Sequence, residues 1–197
     1  MMRLTRRAGR FFAGVLSITA LTNSLAAQPA SSSRSHASAK ADKPNVIIVL
    51  SDDHGYGDLS ITGNPLLKTP ELDRFAREAV RLENFHSNPV CTPTRAALMT
   101  GRYAERVGAW HCQGGRDMLR DGEVTMADVF RHNGYRTGIF GKWHLGSNYP
   151  YRPIDRGFDE WFGTCASGTG HTGDFWGNDR VNDTYLRNGK PEKFKGY

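Results

Sequence analysis

Cys91-Thr92-Pro93-Thr94-Arg95 sets a thiol and a guanidinium about one helical turn apart. Thr92 is a good N-cap, since its hydroxyl can accept from an orphan backbone N–H. Pro93 suits the first helical position, where a missing N–H costs nothing. Ala96 to Met99 supply helix formers, and Gly101 can close the helix at its C-terminal end. Cys91 then sits just outside the positive end of a helix, where N–H groups and dipole favour an anion. Arg95 adds a permanent cation whose fork of donors matches a tetrahedral oxyanion. The residues alone admit two readings: a nucleophile held where an anion binds, or a buried structural cysteine beside a capped helix.

Further along, Asp52-Asp53 follows the apolar run Val46-Ile47-Ile48-Val49-Leu50. Paired carboxylates are hard oxygen ligands, better suited to Ca²⁺ or Mg²⁺ than to zinc. They equally suit a polar turn that stops a strand. Lys142 and His144 lie in Gly141-Lys142-Trp143-His144-Leu145-Gly146. In an extended segment the two point to the same side, because side chains alternate with period two. Ser167, His111 and His171 are further polar groups that could reach a substrate or lie on the surface.

These groups need elements to hold them. Val46–Leu50 reads as a strand buried on both faces of a parallel sheet, and ligands collect beyond the carboxyl ends of such strands. Thr69-Pro70-Glu71 starts a helix that presents Leu72, Phe75, Ala76 and Ala79 on one buried face. Val80 to Phe85 reads as a short strand leading to the Cys91 loop. Thr125 caps a helix carrying Met126, Val129 and Phe130, which stops near Asn133-Gly134. Tyr135 to Phe140 reads as a strand ending at the Lys142 loop. Alternating strands and helices argue for an α/β fold. Gly168 to Tyr197 shows no buried-element pattern.

The whole run Pro89 to Gly101, with its Cys-x-Pro-x-Arg segment, resembles the signature of the type I sulfatases. Gly134 to His144 resembles that family's second signature, with Phe140 bulkier than the usual residue there. Asn45 to Asp58 resembles its N-terminal strand and metal-binding pair, and Arg156 to Gly163 the stretch after the second signature. The resemblance implies an alkaline-phosphatase-like α/β/α sandwich with a mostly parallel sheet, of which residues 44–197 form the N-terminal portion. It further implies that a formylglycine-generating enzyme oxidises Cys91 to a formylglycine aldehyde. The hydrate of that aldehyde would cleave sulfate esters through a covalent sulfo-enzyme intermediate. Asp52, Asp53 and the modified Cys91 would hold Ca²⁺, or Mg²⁺; Arg95 would steady the hydrate, Lys142 contact the sulfate, His144 take a proton and Ser167 add a polar substrate contact. The substrate would be a sulfated small molecule or glycan. A related phosphomonoester or phosphonate hydrolase and an inactive anion-binding fragment are the alternatives. The family's later part supplies two more metal ligands, the leaving-group acid and a second lysine, none of which can be assigned before Tyr197.

Composition narrows the class. With 38% hydrophobic and 23% charged residues, the 197-residue chain is ordinary for a globular protein. The formal charge of +6 owes much to Arg3, Arg6, Arg7 and Arg10; without them 22 basic face 20 acidic residues. That gives little support to a nucleic-acid partner, which needs a basic face on the folded domain. The arginine-rich start, the apolar stretch Phe11 to Leu25 and Ser24-Leu25-Ala26 read as a signal peptide over residues 1–26. Residues 27–43, rich in Ser and Ala, read as a flexible linker. The protein is thus expected to be periplasmic or secreted, with no stable membrane association after cleavage. Of its three cysteines, conversion of Cys91 would leave Cys112 and Cys165 free to pair.

Overall fold

The computed structural model describes residues 43–171 and 174–196. The signal peptide and nearly all of the linker therefore lie outside the described residues. Residues 43–47 are exposed and outside any regular element. From Ile48 onward the elements are α1 (Pro70–Glu78), α2 (Cys91–Thr100), α3 (Ala104–Val107), α4 (Met126–His132), β1 (Gly138–Lys142), β2 (Glu160–Thr164), β3 (Thr184–Arg187) and β4 (Lys190–Lys193). Single 3₁₀ turns occur at Tyr56–Asp58, Ser60–Thr62 and Pro153–Asp155. Among the described residues no helix is long and apolar enough to cross a membrane.

The class is mixed α/β, as expected, with a small open sheet ordered β1-β2-β3-β4. β1 and β2 run parallel from Gly138↔Glu160 to Lys142↔Thr164. The β2–β3 and β3–β4 pairs are antiparallel, so the mostly parallel sheet is not what the described strands form. β3 and β4 make a hairpin where no element was expected. Asn188 and Gly189, with φ of 50° and 83°, form its turn, since a two-residue hairpin loop needs left-handed backbone at both positions. Phe162, Tyr185 and Phe194 then pack ring against ring across these strands.

The core lies where α2, α3 and α4 meet the loops after β1 and β2. Ala96, Val107, Ala109, Leu119, Trp143, Leu145 and Trp161 are buried there. The Trp143 indole N–H donates to the Tyr151 carbonyl at 2.8 Å, and its ring meets Phe158 edge-on. Leu119 N–H donates to the Leu145 carbonyl at 3.2 Å, tying the α3–α4 connection to the segment that follows β1. The buried Arg156 guanidinium donates to the carbonyls of Leu119 and Arg120.

Three expected elements differ. Val46–Leu50 is neither strand nor buried; Ile47 and Val49 are 85% and 90% exposed. An apolar run becomes a strand only when a neighbour takes up its backbone groups, and among the described residues none does. α1 forms behind Thr69 and Pro70 as expected, yet its apolar face stays open, with Phe75 65% exposed. Polar contacts hold it instead: Asp73 accepts from Ser60 Oγ at 2.5 Å, the Ile61 N–H at 3.1 Å and Thr69 Oγ1 at 2.8 Å. Val80 to Phe85 is exposed and forms no strand.

Candidate active site

α2 begins at Cys91 itself, with Val90 as N-cap, two residues earlier than the Thr92 cap expected. The Thr92 hydroxyl is drawn away from capping because it donates to the His144 carbonyl at 3.2 Å. This bond locks the start of α2 to the loop after β1. Gly101 closes the helix at φ 65°, its N–H donating to the Ala97 carbonyl at 2.8 Å.

β1 delivers the other half of the site. It ends at Lys142, and His144 adopts a left-handed φ of 54°, so strand alternation does not carry through to it. Both residues nonetheless reach the start of α2. His144 is 3% exposed, and its Nδ1 lies 3.1 Å from Cys91 Sγ. Lys142 Nζ lies 3.3 and 3.1 Å from the two Asp52 carboxylate oxygens. The Arg95 guanidinium donates to the Lys142 carbonyl at 2.5 Å, and its other terminal nitrogen is 3.9 Å from Asp52. Among the described residues Arg95 Nε is buried without a hydrogen-bond partner. Cys91, Arg95, Lys142, His144 and Asp52 therefore form one cluster assembled from α2, the end of β1 and the loop before Tyr56.

The electrostatics follow from this packing. Burial, with Lys142 and Arg95 close by, holds His144 below the usual histidine range despite the opposing charge of Asp117. The shift favours the neutral imidazole. Burial and the neighbouring Cys112 push the Cys91 thiol up, against the attraction of Lys142. Burial lowers Arg95, opposed by Asp52 and Cys91.

Asp53 follows Asp52 with a left-handed φ of 50°. Ser167 is half-buried in the turn after β2, and among the described residues no hydrogen bond joins it to Cys91, Arg95, Lys142 or His144. His111 and His171 are exposed. Sequence reasoning missed Cys112, whose sulfur lies 3.4 Å from Cys91 Sγ. It does not pair with Cys165, which is buried in the core with its thiol pushed up to about 12 by desolvation. No local pattern marks Cys112; only the fold brings it across 21 residues to the head of α2.

Cationic side chains thus surround a thiol at a helix start, beside a carboxylate. Residues 44–188 match the sulfatase family model, and the chain belongs to that family. It is 41% identical to human N-acetylgalactosamine-6-sulfatase over 142 residues, 65% of this chain and 27% of that protein. A solved structure described as a complex with the substrate D-glucosamine-2-N,6-O-disulfate superposes with a TM-score of 0.63 at 28% identity, over 78% of this chain and 28% of the other. The PsFucS1 sulfatase from Pseudoalteromonas sp. gives a TM-score of 0.56 at 34% identity, over 63% of this chain and 26% of the other. The fold is accordingly that of the alkaline-phosphatase-like sulfatases. The chain spans about a quarter of the length of the curated relatives it matches.

Proposed function

We propose that this chain carries the nucleophile-bearing part of a sulfate ester hydrolase. The observation that carries the reading is the convergence of Arg95, Lys142 and His144 on Cys91 at the start of α2. Cys91 would be converted to formylglycine by a formylglycine-generating enzyme, and its hydrate would supply the nucleophile toward sulfur. Arg95 and Lys142 bind and orient the sulfate oxygens with donors placed before reaction begins. Neutral His144, at hydrogen-bond distance from the Cys91 side chain, takes up the proton there.

Asp52 and Asp53 are exposed carboxylates at one edge of this cluster, a hard donor set that fits Ca²⁺ or Mg²⁺ in kind. Together with the oxygen on modified Cys91 they would hold such an ion, which when bound polarises the sulfate oxygens. Ser167 would add a substrate contact. Sulfated sugars are the substrate class we favour, by analogy with the disulfated glucosamine named for the solved relative. The apolar, arginine-headed leader supports a periplasmic or secreted protein.

The test compares 4-nitrophenyl sulfate with 4-nitrophenyl phosphate, using a sulfatase-length protein bearing this sequence and made together with the modifying enzyme. Sulfate turnover abolished by Cys91→Ala is expected. A higher kcat/KM on the phosphate ester would move the reading to a phosphohydrolase, and binding without turnover to an anion-binding remnant.

A further inference from the structure

Cys91, Cys112 and His144 present two sulfurs and an imidazole nitrogen that all lie within 4.8 Å of one another. The Cys91 sulfur is 3.4 Å from Cys112 Sγ and 3.1 Å from His144 Nδ1. A tetrahedral zinc ion, with sulfur at about 2.3 Å and nitrogen at about 2.0 Å, keeps its ligand atoms about 3.3–3.8 Å apart. The two measured separations differ from that range by no more than a small rotation of one side chain. The surroundings favour the thiolate of Cys112, while burial opposes that of Cys91. Backbone N–H groups of Cys91 and Thr92, at the head of the ten-residue α2, face the Cys112 sulfur. The His144 ring also hydrogen-bonds to the Cys112 backbone, and its Nδ1 faces the Cys91 sulfur. Cys91 and Cys112 are only half-buried, which leaves a solvent-facing fourth position.

We propose that the chain with Cys91 still a thiol binds one zinc-class cation through Cys91, Cys112 and His144, with water as the fourth ligand. This site is distinct from the hard oxygen set at Asp52 and Asp53: sulfur and imidazole select soft or borderline ions and reject calcium. It needs the sulfur of Cys91, so it exists only before conversion to the aldehyde, and it stands whether or not the converted protein turns over sulfate esters. Conversion removes the Cys91 sulfur and leaves only Cys112 and His144, too few ligands to keep the ion.

The probe is Co²⁺. The full chain is produced in cells lacking formylglycine-generating activity, reduced, stripped of metal and titrated without oxygen. A near-ultraviolet sulfur-to-cobalt charge-transfer band should saturate at one equivalent and vanish when Zn²⁺ is added. Cys112→Ser should weaken cobalt binding on the order of 10²-fold or more, since even outer-shell ligand partners are worth 10–100-fold. Cys165→Ser should leave it unchanged. X-ray absorption of the wild-type cobalt form, which depends on no variant folding, should count two sulfurs and one imidazole. An all-oxygen shell, no band at one equivalent, or a band that survives Cys112→Ser at full strength would overturn the proposal.

Discussion

At the residue scale, the site works by surrounding one side chain with fixed charge. Lys142 is largely covered, and its ammonium pairs with Asp52 rather than with solvent anions. An ammonium held in place costs no reorganisation when sulfate arrives, which is where electrostatic catalysis gains most. In a modified, sulfatase-length protein, Lys142→Ala should therefore lower kcat/KM by on the order of 10²-fold while the unfolding midpoint barely moves. Steady-state kinetics and denaturant titration read the two quantities; unchanged kinetics would return Lys142 to a surface ion pair. Much of this scale was legible beforehand. Cys91, Arg95, Lys142 and His144 each sit in a recognisable run, and the fold brings all four together. The route was not legible: a period-two strand was expected to align Lys142 and His144, whereas a left-handed residue turns His144 onto Cys91. Cys112 was invisible because nothing local distinguishes a thiol that only tertiary packing makes a neighbour.

At the element scale, the placement of the site depends on how closely β1 and β2 approach. Gly163 has φ 152°, and a Cβ on it would lie 1.9 Å from the Gly141 carbonyl oxygen. No rotamer change relieves a clash with backbone, so any side chain must part the strands next to Lys142. Gly163→Ala should cost more than about 1 kcal/mol, the scale at which alanine in a backbone conformation reserved for glycine destabilises a fold. Urea unfolding measures this, and wild-type stability would show that the strands can separate freely. The helices behind Thr69-Pro70 and Thr125 started where their caps said they would. Thr125 accepts from the Asp128 N–H at 3.2 Å, and Asp128 accepts in return from the Thr125 N–H at 2.9 Å. α2 starts two residues early, its threonine hydroxyl donating to the His144 carbonyl instead of capping. The β3–β4 hairpin was there to be read, since Asn-Gly between two short β-compatible runs is a strong hairpin signal. The flanking residues, Thr184 to Arg187 and Lys190 to Lys193, are too polar to suggest burial, so the stretch shows no buried-element pattern.

At the scale of the whole molecule, apolar surface stands uncovered. Val49, Phe75, Val80 and Leu82 are more than half exposed, and among the described strands β1 pairs on one side only. Sequence periodicity marks such faces as buried but is silent on what covers them, which is why Val46–Leu50 is exposed and α1, though formed as expected, keeps its apolar face open. Free apolar strands and edges template association between chains. Val49→Lys should therefore lower light scattering of the 197-residue polypeptide at fixed concentration; equal scattering would show that this run does not drive association. The central claim, however, concerns Cys91, and one mass measurement tests it most directly. The protein is made in cells that carry the formylglycine-generating enzyme, and the tryptic peptide Leu82 to Arg95 is weighed. The account predicts a peptide about 18 Da lighter than the thiol form that reacts with a hydrazide probe. A Cys91 found only as alkylatable thiol, while a known sulfatase is converted in the same cells, would contradict it.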